Sequence, residues 1–213
     1  WFLYRTLVPF FGVTHPTKLW TLRIALGWLS ISLVVSSFLS FRYSNFLVQN
    51  LYTASASWLG ILYLLILASI LSWILYGLAK LFHFPLDRRI LIVVLMGIAL
   101  MASLYGFINA GVIRIKTVSL TLPNLPSAWK GKTAVWVSDT HLGQVRNFRF
   151  AQQLASMIQN LRPDILFIGG DLYDGGEAMD LNHMIEPFSR IFSSYGTYFI
   201  TGNHEEFYDN TPY

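Results

Sequence analysis

The stretch DILFIGGDLYDGG, residues 164–176, joins a four-residue apolar run to a polar, glycine-rich end. A short apolar run bounded by turn residues is typical of a buried strand. Glycine permits the sharp turn that follows, and Asp171 and Asp174 come directly after it. We therefore predict a central strand whose carboxyl end presents two carboxylates.

Strand and helix patterns alternate on both sides of this stretch. The predicted elements are strands at 133–139, 164–171 and 196–203 and helices at 147–163 and 178–192. Such alternation indicates βαβ units and a largely parallel sheet, so the fold class predicted for this half is α/β. A further strand is predicted within 115–126, where apolar and polar residues alternate up to Pro123.

Each of the three main strands ends in a polar cluster. The clusters are Asp139 with His141, Asp171 with Asp174, and Asn203 with His204. Asp139 precedes Asp171 by 32 residues, and Asp171 precedes Asn203 by 32, which is one strand–helix–strand circuit each time. Because right-handed crossovers bring equivalent ends of parallel strands to one edge of a sheet, we expect the clusters to converge.

The residue types in these clusters are those that bind divalent cations. Carboxylate and amide oxygens suit Mg²⁺ or Mn²⁺, and imidazole adds a preference for Mn, Fe or Zn. Two ions that share a carboxylate can clamp a phosphoryl group. Each cluster alone also fits a helix cap, a loop or a turn. Their common order, spacing and position on strand ends favour a metal site.

The three motifs resemble the signature of the calcineurin-like metallophosphoesterases. DTH at 139–141, GDLYD at 170–174 and GNHE at 202–205 match that family's D-x-H, G-D-x-x-D and G-N-H-[DE] motifs. The resemblance implies that residues 114–213 form the front half of a four-layer α/β/β/α sandwich. The flanking VSDTHLG and GNHEEFY are similar to the membrane-attached branch, which includes enzymes that hydrolyse UDP-2,3-diacylglucosamine-type lipids.

The resemblance implies two divalent metal ions, with Mn, Fe, Zn or Mg as the candidates. Asp139 and His141 would bind the first ion. Asp171 would bridge both ions, and Asn203 would bind the second. Glu205, which follows the third motif, is interpreted as a turn or supporting residue and not as a ligand.

Two further residues are implied to act beside the metals. His204 would assist the leaving group or stabilise the transition state, and Asp174 would orient His204. Gly175 and Gly176 stand where protein Ser/Thr phosphatases carry an Arg, which disfavours that branch. The family's later histidine motifs do not occur in these 213 residues. We therefore expect this piece of the domain to bind metal poorly and to hydrolyse little by itself.

Charge divides the chain into two unlike parts. Residues 1–132 carry eleven Lys or Arg and one acidic residue, a formal charge of +10. Residues 133–213 carry four Lys or Arg and ten acidic residues, a formal charge of −6. The overall pI near 9.4 averages these parts and does not indicate nucleic-acid binding. The absence of cysteine excludes disulfides and thiolate metal sites from the chain.

Three apolar segments within residues 1–113 are long enough to cross a bilayer. We predict membrane spans at about 24–41, 58–79 and 90–113, followed by the domain at 114–213. Residues 1–13 are too short for a span and fit the tail of another span or an interfacial segment. The region is therefore expected to be a helical membrane region of about three spans.

Loop charge predicts the orientation of these spans. Lys80, Arg88 and Arg89 lie between the second and third spans, whereas Arg42 alone lies between the first and second. The positive-inside rule therefore places the second loop in the cytoplasm and the domain after the third span on the extracytoplasmic side. Basic residues just after the third span argue against this orientation.

These patterns together predict a multi-pass protein of the plasma (inner) membrane that carries a dinuclear-metal phosphoesterase domain. The expected reaction is hydrolysis of a phosphate mono- or diester by metal-activated hydroxide, with lipid-linked and nucleotide-sugar substrates included. The expected partners are the lipid bilayer and the phosphorylated substrate, and the oligomeric state is left open. The alternative is a non-enzymatic membrane protein whose phosphoesterase-like domain binds metal or a phosphorylated lipid.

Overall fold

The computed structural model describes residues 1–43, 45–174 and 180–207. The helices are α1 (Phe2–Phe11), α2 (Pro16–Arg42), α3 (Phe46–Leu81), α4 (Arg88–Ala110), α5 (Phe148–Asn160), α6 (Leu181–Ser189) and α7 (Asn203–Phe207), and the strands are β1 (Ala134–Val137), β2 (Ile165–Ile168) and β3 (Thr197–Phe199). The chain divides into two compact units, Trp1–Ser37 with Leu51–Ile113 and Phe38–Asn50 with Arg114–Tyr213. We call them the helical unit and the α/β unit.

The helices α2, α3 and α4 are long and apolar enough to cross a membrane. The prediction of three long apolar helices before an α/β region is therefore confirmed. Helix α4, which corresponds to the third predicted span, ends at Ala110, three residues before the predicted end of that span. Hydroxyl groups inside these helices donate to carbonyls of the preceding turn, as in Ser69 to Leu65 and Ser103 to Ala99. Such bonds satisfy polar groups where water is absent.

The short helix α1 packs within the helical unit. Its Leu3 and Phe10 are buried in one cluster with Ala68 of α3 and with residues of α4. The indole Nε1 of Trp73 in α3 donates to the fully buried hydroxyl of Thr6 at 3.0 Å. Residues 2–11 are therefore a packed helix of this unit.

The α/β unit contains a three-stranded parallel sheet in the order β1-β2-β3. The last residues of the three strands are in register, since Val137 pairs with Ile168 and Ile168 pairs with Phe199. The predicted parallel α/β arrangement is confirmed, with β2 at the centre. This register brings the loops after all three strands to one edge of the sheet.

The two connecting helices form where the sequence predicts them. Helix α5 begins after Asn147, whose side chain accepts a hydrogen bond from Arg149 N, and it buries one apolar face. Helix α6 begins after Asp180, which caps it by accepting from His183 N. Residues 178 and 179, the start of the second predicted helix, lie outside the described residues.

The strand predicted within 115–126 is wrong. Residues 112–122 form no helix or strand, and Val118, Leu120 and Leu122 are exposed. Alternation of apolar and polar residues produces a strand only where a neighbouring strand accepts its hydrogen bonds. None of the described strands pairs with this segment.

Candidate metal centre

The loop after β1 lies along the loop after β2. Asp139 N donates to the carbonyl of Gly170 at 3.1 Å, and His141 N donates to the carbonyl of Asp171 at 3.0 Å. The buried hydroxyl of Thr140 donates to the carbonyl of Leu172 at 2.9 Å. Pairing of the two chain segments thus continues beyond the strand ends. It brings the first predicted motif next to the second.

Three of the predicted metal ligands have a left-handed backbone. Asp139, His141 and Asp171 have φ values of 55°, 46° and 50°. Five non-glycine residues of the described part of the chain have a positive φ, and these three are among them. Such conformations are costly for residues with a Cβ and are concentrated at functional sites. The backbone conformation therefore indicates a functional site in these loops, independently of the sequence motifs.

Two glycines allow the loops after β2 and β3 to approach closely. A Cβ on Gly170 would lie 2.7 Å from the amide nitrogen of Gly202, and Gly170 has a φ of 84°. A Cβ on Gly202 would collide with the carboxylate of Asp171. Side chains at either position would push the second and third motifs apart.

The side chains of His141, Asp171 and His204 converge on one point. Their ligand atoms lie within 4.8 Å of one another, and all three residues are half-buried. The two imidazole rings meet edge to face, with centroids 4.5 Å apart. Ligand atoms about 2.1 Å from one ion are separated by at most about 4.2 Å, so a small inward shift would suit a divalent cation. Two nitrogens and one carboxylate oxygen are donors that Mn, Fe and Zn accept.

Asp174 lies between the two histidines and closer to His141. Its Oδ1 is 2.8 Å from Nδ1 of His141 and 3.9 Å from Nδ1 of His204. A carboxylate that accepts from Nδ1 of His141 would leave Nε2 of that ring as the ligand atom. The sequence predicted Asp174 as the partner of His204, and the shorter contact is with His141.

The remaining predicted ligands, Asp139 and Asn203, are exposed residues. Asp139 is exposed, and its carboxylate is not among the three converging groups. The guanidinium of Arg146 donates to the carbonyls of Asp139 and Thr140, which holds the first loop. Asn203 is the exposed first residue of α7. Metal binding by Asp139 and Asn203 stays a prediction.

Glu205 joins the loops after β2 and β3. Its carboxylate is buried, with 5% of the residue exposed. Oε1 accepts hydrogen bonds from the amides of Leu172 and Tyr173, and Oε2 accepts from those of Asp171 and Gly202, at 2.7–3.2 Å. Glu205 therefore supports the site by joining the second and third motifs through hydrogen bonds. We call the Glu205 carboxylate with these four hydrogen bonds the clamp.

The charge of Glu205 is favoured by the same contacts. Burial alone would raise the pKa of its carboxyl group. The four backbone N–H groups together outweigh burial and hold the pKa of Glu205 below its ordinary value. The clamp is therefore an ionised carboxylate at neutral pH.

Comparison with known proteins finds a family match for part of the chain. Residues 133–213 match the family model described as calcineurin-like phosphoesterase. The predicted resemblance to this family is confirmed for these residues. We call residues 133–213 the phosphoesterase segment. Members of this family typically bind divalent metal ions, and the group of His141, Asp171 and His204 lies within the segment.

Curated relatives support the same assignment over about half of the chain. A transmembrane protein with metallophosphoesterase domain from Danio rerio is 34% identical over 104 residues, which are 48% of this chain and 24% of that protein. The protein of the same name from Bos taurus is 36% identical over 104 residues, 48% of this chain and 23% of that protein. An uncharacterized metallophosphoesterase from Campylobacter jejuni is 33% identical over 94 residues, 44% of this chain and 24% of that protein.

The chain thus spans about a quarter of the length of these relatives. No solved structure matches it. Gly175 and Gly176, which the sequence sets against the protein phosphatase branch, lie outside the described residues. That interpretation of the phosphoesterase segment stays a prediction.

Proposed function

We propose that the protein is a membrane-anchored, metal-dependent phosphoesterase that hydrolyses a phosphate mono- or diester. The observation that carries the proposal is that two proposed metal ligands, His141 and Asp171, converge with the proposed proton donor His204 in a segment that matches the phosphoesterase family. Two divalent ions would be held by Asp139, His141, Asp171 and Asn203, with Asp171 shared between them.

The chain's own residues would orient the reacting groups. When bound, the metal ions supply an activated hydroxide and neutralise charge on the phosphoryl oxygens. Asp174 would accept the Nδ1 proton of His141 and so leave Nε2 of that ring to bind the metal. His204 has its Nδ1 towards Asp174, so its Nε2 would donate a proton to the leaving oxygen.

A lipid-linked phosphoester is the substrate that we favour. The candidate spans α2, α3 and α4 precede the phosphoesterase segment in the same chain. A segment anchored in this way would act on substrates held in the same membrane, which supports a lipid-linked phosphoester.

The phosphoesterase segment is proposed to lie outside the cytoplasm, at the plasma (inner) membrane. Since the chain has no cysteine, single cysteines test the side directly. Gln153→Cys on exposed α5 should react with a membrane-impermeant maleimide in intact cells, and Thr17→Cys at the start of α2 should react only after permeabilisation. The reverse labelling pattern would refute the proposed side.

Hydrolysis itself is tested on the protein at its full natural length in lipid bilayers. Release of p-nitrophenol from bis-p-nitrophenyl phosphate should require Mn²⁺ and stop with a chelator. His204→Ala should lower kcat at least about 100-fold, the usual contribution of a proton donor. The matched control His15→Ala removes an exposed histidine of the helical unit and should leave kcat unchanged. Metal binding without metal-dependent hydrolysis would favour the non-enzymatic alternative.

A further inference from the structure

Four basic side chains gather at one end of the helical unit. Lys18 lies in the first turn of α2 and Lys80 in the last turn of α3, while Arg88 and Arg89 begin α4. A Cβ on Gly12, the residue after α1, would lie 3.1 Å from Nη2 of Arg89 and 4.0 Å from Nη2 of Arg88. Both guanidinium groups therefore reach the connection between α1 and α2. We call these four basic residues the basic end.

Within the described part of the chain, no carboxylate oxygen forms an ion pair with the basic end. Among the described residues, none of its four side chains has a carboxylate oxygen within 4.0 Å. The one acidic residue before residue 133 is Asp87, and its Oδ1 accepts from the amides of Arg89 and Ile90 at 2.7 Å and 3.1 Å. Asp87 thus serves as the N-cap of α4. The basic end keeps a net positive charge that an anion would balance.

Large apolar side chains stand beside these cations. Leu81, the last residue of α3, and Phe82 and Phe84, in the connection from α3 to α4, are 68%, 74% and 64% exposed. A free phosphate ion would use only the cations and would leave this apolar surface in water. A phospholipid offers both a phosphate for the cations and acyl chains for the apolar surface. Since the connection joins two candidate spans, both groups lie where a lipid has its headgroup.

We propose that the basic end binds the phosphate group of an anionic phospholipid. Arg88 and Arg89 hold the phosphate oxygens through their guanidinium groups, and Lys18 and Lys80 add charge from the neighbouring helix ends. Leu81, Phe82 and Phe84 cover the adjoining acyl chains. This lipid is bound as a partner of the helical unit and is not hydrolysed there. The proposal is therefore independent of the proposed phosphoesterase activity.

The test uses the full-length protein in detergent micelles, titrated with dansyl-labelled phosphatidylglycerol. Binding is followed by energy transfer from protein tryptophan. Arg88→Gln/Arg89→Gln should weaken phosphatidylglycerol binding at least about tenfold, because each basic residue near an anionic surface contributes roughly a fivefold factor. The matched control Lys116→Gln/Lys130→Gln removes two exposed charges of the α/β unit and should change binding less than twofold.

Three further measurements identify the ligand that the basic end binds. Dansyl-labelled phosphatidylcholine should bind much more weakly, and binding of phosphatidylglycerol should weaken as salt rises. Inorganic phosphate at millimolar concentration should not displace the lipid. Equal binding by the Arg88→Gln/Arg89→Gln variant and the control would overturn the site, and displacement by phosphate alone would overturn the lipid as its occupant. If the arginine variant does not fold, Lys18→Gln/Lys80→Gln replaces it with the same expected loss.

Discussion

Asp171→Asn is expected to lower metal-dependent hydrolysis by the full-length protein at least about 1000-fold. Asp171 lies in the loop after the central strand β2, and its side chain is within reach of both His141 and His204. An amide at this position keeps the shape of the side chain and removes the negative charge that would be shared between two cations. The loss should appear in kcat and in the affinity for Mn²⁺ together.

The matched control for this substitution is Asp180→Asn. Asp180 caps α6 by accepting from His183 N, a role that Asn performs as well. The control removes the same charge from an exposed position and should leave kcat within about twofold of the wild type. Comparable Mn²⁺ affinity and kcat in the Asp171→Asn and Asp180→Asn proteins would exclude Asp171 as a metal ligand.

Glu205→Gln is expected to cause the second-largest effect, although Glu205 is not predicted to bind metal. Each carboxylate oxygen accepts two backbone N–H groups. An amide NH₂ in place of one oxygen leaves two of these donors without an acceptor in a buried position. A hydrogen bond to a charged group contributes about 1.5–3 kcal/mol, so the free energy of unfolding should fall by about 3 kcal/mol or more.

The loops after β2 and β3 should become more mobile when Glu205→Gln weakens the clamp between them. Amide hydrogen exchange at residues 171–173 should accelerate, and kcat should fall because Asp171 loses its fixed position. The neighbouring substitution Glu206→Gln alters an exposed side chain and should leave both quantities unchanged. Identical exchange rates in the two variants would mean that the loops are held by other contacts.

The effect of Glu205→Gln should also depend on pH. Because the folded-state pKa of Glu205 lies below its ordinary value, its ionised form stabilises the folded protein at neutral pH. This stabilisation is present above the pKa of the unfolded chain and is lost as the pH falls through the folded pKa. The difference in unfolding free energy between wild type and Glu205→Gln should therefore shrink below about pH 4.

The sequence predicts the framework of the site because the framework depends on local patterns. The apolar run before Asp171 specifies a strand, and equal sequence spacing to Asp139 and Asn203 specifies parallel strands that end at one edge. The segment around Leu120 shows the limit of this reasoning. Its alternation fits a strand, but pairing depends on neighbours that a local pattern does not contain.

Contacts between residues of different loops are not predictable from local sequence patterns, for a different reason. Asp174 contacts His141 more closely than His204, although both histidines are distant in sequence and chemically equal as partners. Loop geometry decides between them, and that geometry includes left-handed residues with no clear local signal. Glu205 is similar, since its amide partners at residues 171–173 become visible only when the second and third loops meet.

The most direct test of the metal centre is anomalous X-ray scattering from crystals of the full-length protein grown with Mn²⁺. Two manganese peaks are expected at the carboxyl edge of the sheet, with the carboxylate of Asp171 about 2.1 Å from both. Asp139 and His141 should contact one peak, and Asn203 should contact the other. Manganese peaks absent from this edge, or present without Asp171 as a ligand, would contradict the account.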